Sequence, residues 1–266
     1  MPLAVCATPI GNLEDVTLRV LGELAAADVV LAEDTRHTRG LLERHQIRAR
    51  LLSYREHNEA KRTAELLPRL RAGERMALVS DAGLPGINDP GARLIAATLE
   101  AGVPVTVLPG PSAVETALVA SGLVGERYQF LGYLPRGERV LAELGGELAR
   151  WPWPVVAFES PQRLPRSLAA LARVVPDRPG AVCRELTKRH EQVVRGTVSE
   201  LAERFAEPVR GEVTVVLGAA QVAADEREAL AAVGELVEAG VARKQAAELV
   251  GRLTGVARNT LYRASL

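Results

Sequence analysis

Four segments turn the chain between an apolar run and a helix-forming run: Thr8-Pro9-Ile10-Gly11-Asn12-Leu13, Glu33-Asp34-Thr35-Arg36-His37-Thr38, Ser80 to Gly91 (SDAGLPGINDPG) and Pro109-Gly110-Pro111-Ser112-Ala113. Three of them are built on glycine and proline. Glycine lets backbone amides and carbonyls come close to a ligand. In open α/β sheets ligands settle beyond the carboxyl ends of the strands, where all four segments fall. The chemistry these residue types suit is that of a ligand held mainly by backbone groups. Absent motifs narrow it further. There is no G-x-G-x-x-G fingerprint and no G-x-x-x-x-G-K-[ST] loop, so neither a dinucleotide nor a nucleoside triphosphate has its usual cradle. Without a G-x-S-x-G elbow, an H-E-x-x-H pair or a Cys/His cluster, hydrolase and metal chemistry are disfavoured, and no metal is expected. In the second half, FESPQR (Phe158–Arg163), RELTK (Arg184–Lys188) and GEVT (Gly211–Thr214) set charge at the ends of apolar strands.

The elements that must position these turns follow from periodicity. Short Val- and Ile-rich runs alternate with helical patterns, which predicts α/β units on largely parallel sheets. Strands are expected at Leu3–Thr8, Val29–Ala32, Leu51–Tyr54, Met76–Ser80 and Val105–Leu108. Helices fit Thr17–Ala27, the arginine-rich stretch after Thr35, Asn58–Arg71, Ala92–Ala101 and Ser112–Ser121. After Gly122 the texture changes to strands at Gln129–Tyr133, Val155–Phe158, Ala181–Arg184, Gln192–Gly196 and Val213–Leu217 with fewer helices, a more mixed sheet. Ala219–Asp225 reads as a linker. Glu226–Glu238, Arg243–Leu253 and Asn259–Ala264 then form a helix-turn-helix-like appendage. The expected division is 1–115, 116–222 and 223–266.

At 266 residues the chain exceeds the usual domain size of roughly 100–150, and its 47% apolar content suffices for more than one core. No apolar run reaches the ~18 residues of a membrane span, and the start lacks a signal-peptide pattern, so a cytoplasmic location is expected. Cys6 and Cys183 are too few for a disulfide framework. Net charge is zero, but its distribution is uneven. Thr35–Arg62 carries eight basic against three acidic side chains, and the stretch from Ala239 to the end carries five against one. Two basic islands on a neutral chain suit a polyanion gripped locally, or arginine-rich solvated helix faces.

ATPIGNLEDVTLR (Ala7–Arg19), AEDTRHT (Ala32–Thr38), SDAGLPGINDPG, LPGPSAVETALVASGL (Leu108–Leu123), FLGYLP (Phe130–Pro135), FESPQR, RELTKRHE (Arg184–Glu191) and GEVTVVL (Gly211–Leu217) occur in this order. Together they resemble the tetrapyrrole methylase superfamily, in particular its ribosomal RNA small subunit methyltransferase I branch. The likeness spans Ala7 to Leu217, and the tail around Arg243-Lys244-Gln245-Ala246-Ala247 and Asn259-Thr260-Leu261-Tyr262 resembles that branch's helical extension. Leu84 stands where the pattern has Thr, and Asn88 where it has Ser. The first substitution removes a hydroxyl from the long turn and leaves its backbone in place.

The resemblance implies a two-domain tetrapyrrole methylase-like α/β fold, with a mostly parallel first sheet, a mixed second sheet and a small C-terminal helical extension. It implies a homodimer that uses S-adenosylmethionine to methylate the 2′-oxygen of a cytidine in the decoding region of 16S ribosomal RNA, free or within the small ribosomal subunit, with no membrane involved. Carried over by motif, the cofactor contacts are Pro9, Ala82, Gly83, Leu84, Ile87, Ser112, Ala113, Glu159, Leu186 and Thr214. Displacement on a sulfonium needs no protein nucleophile, so alignment supplies most of the acceleration. A 2′-hydroxyl must also lose a proton. Strand-end candidates are Glu33, Asp34, His37, Asp89, Glu185 and Lys188, with Lys188 and Glu185 first and Asp34 or His37 next. As a cofactor cradle, residues 80–91 give Asp81 and Asp89 less weight as acid–base groups. Phosphate contacts are expected from Arg36, Arg39, Arg44, Arg48, Arg243, Lys244 and Arg258. Two alternatives stand beside this reading: methylation of a tetrapyrrole or other small substrate, and a non-catalytic RNA-binding assembly factor.

Overall fold

In the computed structural model, which describes residues 2–220 and 226–266, the first five strands are β1 (Leu3–Cys6), β2 (Val29–Ala32), β3 (Leu51–Ser53), β4 (Met76–Val79) and β5 (Val105–Leu108). They form one parallel sheet in the order β3-β2-β4-β1-β5. Fully parallel strands need cover on both faces, which explains why β1, β2 and β4 are buried at every position. Val20 and Leu24 of α1 (Leu18–Ala26) and Leu41 and Leu42 of α2 (Thr35–Arg44) pack on Ala4, Cys6, Val30 and Ala77. Leu66 and Leu70 of α3 (Glu59–Arg71) and Leu94 of α4 (Ala92–Glu100) pack on the alternate residues Leu3, Val5, Val29, Leu31 and Leu78.

This strand order contains a switch point. From β1 the chain moves toward β2 and β3, whereas from β4 it moves toward β5 on the other side. The turns leaving the adjacent strands β1 and β4 therefore diverge and open a crevice between them. A two-residue bridge ties its floor: Thr8 N–H donates to Gly83 O at 2.8 Å and Gly83 N–H to Thr8 O at 3.0 Å.

The second sheet comprises β6 (Gln129–Tyr133), β7 (Val155–Glu159), β8 (Pro179–Arg184), β9 (Gln192–Thr197) and β10 (Val213–Leu217), ordered β6-β7-β10-β8-β9. Only β6 and β7 run parallel. One face is covered by α6 (Glu138–Leu148), α7 (Leu164–Ala172) and α8 (Val198–Arg204), three helices that the sequence reading passed over. Gly145-Gly146 interrupts the pattern of the first, a proline opens the second and the third has only seven residues. The other face receives α5 (Ala113–Ser121), whose Val114, Ala117 and Leu118 pack on Val156, Ala181, Cys183 and Val216. A division at 115/116 falls inside α5.

Arg178 is buried at the edge of this layer with no carboxylate partner among the described residues, donating from Nε to Gly218 O at 2.8 Å and to the carbonyls of Leu148, Trp151 and Trp153. The expected linker from Ala219 to Asp225 falls on residues 221–225, which lie outside the described residues. Beyond it α9 (Glu226–Glu238), α10 (Arg243–Thr254) and α11 (Arg258–Ala264) share a small core of Ala229, Val233, Ala246, Val250 and Leu261. Among the described residues no helix is long and apolar enough to cross a membrane.

Candidate active site

All four turns meet at the switch-point crevice, a cleft of about 530 Å³ whose opposite wall comes from the second sheet. The first lobe contributes Ile10 after β1, Glu33 after β2, Asp81, Ala82, Gly83, Leu84, Ile87, Asn88 and Asp89 after β4, and Ser112 and Ala113 after β5. The second contributes Tyr133, Phe158, Glu159, Leu186, Glu212 and Thr214. Nine of the ten cofactor positions expected from the sequence thus line one cavity. Pro9 does not: it borders a separate small cavity with His37, and its neighbour Ile10 faces the cleft instead.

The long turn is held from several sides. Thr8 Oγ1 donates to Ser80 O at 3.0 Å, and Ser80 Oγ donates to Ala82 O at 3.2 Å. At its far end the Glu59 carboxylate accepts from Gly91 N at 3.0 Å, giving α4 the cap its own N-terminal residue cannot supply. The same carboxylate takes the hydroxyl of buried Tyr54 at 3.2 Å. Within the turn Gly83, Gly86, Asn88 and Gly91 have positive φ. Asn88 at +60° has the residue type that tolerates this region best after glycine. On the opposite wall Glu185 and Thr187 also lie at positive φ, +53° and +64°. The walls touch where Gly11 passes Leu186–Lys188. A Cβ on Gly11 would lie 2.5 Å from Lys188 Cγ, and Asn12 N–H donates to Thr187 Oγ1 at 3.0 Å.

Three carboxyl groups, Glu33, Asp81 and Asp89, gather at the first-lobe side of the cleft. Burial pushes Asp89 up to about 6, against a hydrogen bond from Ser80 and with help from the charge of Asp81. Burial also raises Glu33, followed by the charges of Asp89 and Asp81. The remaining cleft carboxylates are committed elsewhere. Glu159 is buried and tied to Arg163 at 2.5 Å, to Ser160 N at 2.5 Å and to the Ser167 hydroxyl. Asp81 accepts from Asp34 N at 3.0 Å, and Glu212 pairs with Lys188 at 3.0 Å.

The residues ranked first for proton transfer stand differently. Lys188 Nζ lies between Glu185 Oε1 at 2.9 Å and Glu212 Oε2 at 3.0 Å, on the rim. Burial alone would lower its pKa, but the hydrogen bonds to Glu185 and Glu212 outweigh that and hold it above the ordinary lysine value. Glu185 is lowered, first by the Glu212 backbone N–H and then by Lys188. Asp34 caps α2 and pairs with Arg36 at 3.0 Å, which holds its carboxyl well below the usual range. His37 is exposed on α2, outside the cleft. Asp89, given little weight in the sequence, is the carboxyl that burial raises to about 6.

Of the expected phosphate contacts, Arg36 is committed to Asp34 and Arg44 to Glu14 at 2.8 Å. Arg39, Arg48, Lys244 and Arg258 are exposed, and Arg243 is half-buried.

The architecture matches solved methyltransferases. The uroporphyrin-III C-methyltransferase of Thermus thermophilus, solved with S-adenyl homocysteine, aligns at a TM-score of 0.57 over 81% of this chain and 96% of its own, at 23% identity. The model of the tetrapyrrole (corrin/porphyrin) methylases matches residues 2–202, so the chain belongs to that family and is a methyltransferase. Its relatives include proteins named ribosomal RNA small subunit methyltransferase I. That of Micromonospora olivasterospora is 45% identical over 260 residues, covering 96% of this chain and 83% of its own length. That of Mycobacterium bovis is 46% identical over 268 residues, covering 99% and 94%.

Proposed function

We propose that the protein uses S-adenosylmethionine to methylate the 2′-oxygen of a cytidine in the decoding region of small-subunit ribosomal RNA. The observation that carries this reading is the 46% identity to an rRNA methyltransferase across 99% of the chain, including the basic helical tail that a tetrapyrrole-methylating activity leaves without a use. The cleft fits the cofactor's chemistry. Leu84, Ala113, Val114 and Leu186 offer apolar walls, Glu33 and Asp89 negative charge for a cation, and the α5 N-terminus, which Ser112 does not cap by its side chain, backbone N–H groups for a carboxylate. Ala82, Gly83, Leu84, Ile87, Ser112, Ala113, Leu186 and Thr214 hold it. Glu159 supports the wall through Arg163 and Ser167. When bound, the cofactor supplies a methyl group on a positively charged sulfur.

The protein's own task is to orient the ribose and take its proton. Asp89 accepts the proton at a carboxylate oxygen, and the charge of Asp81 in the same turn adds to the burial that raises its pKa. Lys188, fixed by Glu185 and Glu212, stays charged at the rim and meets the RNA backbone. Arg39 and Arg48 on one side, and Arg243, Lys244 and Arg258 on the other, grip phosphates. The enzyme works as a homodimer in the cytoplasm. Mass mapping of ribosomal RNA from cells lacking the protein tests the reading: one missing ribose methyl, restored by the wild-type gene, is expected. An unchanged methylation map rejects the RNA substrate, and absent S-adenosylmethionine binding rejects the cofactor.

A further inference from the structure

Aromatic side chains are scarce in this protein, with three Phe, four Tyr and two Trp. Three of them nevertheless form one edge-to-face ladder leading into the cleft. Phe130 meets Phe158 at 5.0 Å and 69°, and Phe158 meets Tyr133 at 5.7 Å and 64°. The inner end is anchored, since Phe130 packs with α5 and Leu186 in the layer between the sheets. The outer end is open: Tyr133 lines the cleft with 60% of its surface exposed.

The backbone is shaped to place this ring. Strand β6 is irregular between Phe130 and Tyr133, and Gly132 there has φ +69°. Asn88 of the long turn fills the space beside Gly132, where a Cβ would come within 3.0 Å of Asn88 Oδ1. Tyr133 is thereby held next to the carboxylates. Burial raises its hydroxyl pKa, and the charges of Asp89, Glu212 and Glu159 add to this against Arg163. Among the charges that raise the hydroxyl, that of Asp89 acts most strongly.

We infer that Tyr133 is the stacking platform for the nucleobase of the nucleotide being methylated. The inference rests on the RNA-methylating function proposed above. A ribose reaches a carboxylate recessed between two lobes only if its nucleotide leaves the base stack, and an extruded base requires a replacement surface. Aromatic rings provide one that accepts any base through its π face. A platform beside Asp89 seats base and sugar of one nucleotide together. The competing occupant of the same ring is the adenine of the cofactor.

The experiment uses the full-length enzyme with small ribosomal subunits from cells lacking it. Steady-state methylation is measured alongside calorimetric S-adenosylmethionine binding without RNA. Tyr133→Leu, which keeps an apolar contact with Phe158 but has no π face, is expected to raise KM for the subunits about tenfold or more with cofactor affinity unchanged. Tyr133→Phe recovers the wild-type KM. A tenfold loss of cofactor affinity in Tyr133→Leu overturns the inference and gives the ring to adenine. An unchanged KM in a folded variant overturns it outright. If the wild-type enzyme methylates no ribosomal RNA, both this inference and the function on which it rests fall.

Discussion

Asp89 is the residue on which the proposed chemistry turns. Its carboxyl, raised to about 6 by burial and by Asp81, is deprotonated near neutrality yet basic enough to take a proton. Single-turnover methylation is expected to rise through pH 6 in the wild type. Asp89→Asn should lose about 10²–10⁴-fold of the chemical step and with it that limb, while cofactor affinity stays near normal. A limb that persists in Asp89→Asn rejects the assignment. Stability moves the opposite way. A carboxyl raised on folding contributes its stability in full below the unfolded value of 3.8 and loses it as pH rises through about 6, so Asp89→Asn should be the more stable protein at pH 8, by on the order of 1 kcal/mol. Equal melting at pH 8 would show that the burial penalty is not expressed. The sequence placed Asp89 among the candidate bases and then gave it less weight as part of a cofactor cradle. Its titration depends on burial, with Ser80 and the charge of Asp81 in the same turn as lesser influences, and linear order carries no burial. The sequence paired Lys188 with Glu185 at a strand end, whereas the second carboxylate on Lys188, Glu212, comes from 24 residues further along the chain and was not legible as its partner.

At the scale of elements, the first sheet was legible because its strands are short apolar runs, three of them ended by glycine and proline turns. The crevice required the strand order as well, since only the reversal between β1 and β4 makes their turns diverge. In the second half the strands were legible and α6, α7 and α8 were not, because glycines, a proline and short length break the 3.6-residue pattern that tertiary packing restores. The seam at Gly11 shows what the pairing of lobes demands. A methyl group there meets Lys188, Thr187 and the Leu186 carbonyl, one of which is rigid backbone. Gly11→Ala is expected to cost about 1–3 kcal/mol in thermal or urea unfolding and to weaken cofactor binding by moving Leu186. Unaltered melting and binding would mean that the seam yields freely. Arg178 makes the complementary case, a buried cation whose partners among the described residues are carbonyls. Arg178→Met removes its hydrogen bonds to Gly218 O and Trp153 O, leaves Leu148 O and Trp151 O with their backbone donors alone, and should lower stability by about 2–4 kcal/mol, read by urea denaturation.

Over the whole molecule, neutral net charge conceals two basic regions, and the fold separates those charges that are free to meet RNA from those already paired. Arg36 and Arg44 face Asp34 and Glu14, whereas Arg39 and Arg48 have no carboxylate partner among the described residues. Reversing Arg39 and Arg48 to Glu should weaken RNA binding and lower the slope of log affinity against log salt by about 1.5, while the Arg36→Ala and Arg44→Ala pair changes it little. Equal slopes for both pairs would make the basic face a solvated surface only. The bond from Asn12 to Thr187 has a consequence for how the molecule is made. It joins residues 175 apart, and the far wall of the cleft continues to Thr214. During synthesis the first sheet can close once β5 has emerged, but the nascent chain has no complete ligand cleft until the last strand has left the exit tunnel. With loop closure of that length preceding the contacts that reward it, docking of the lobes belongs late in folding.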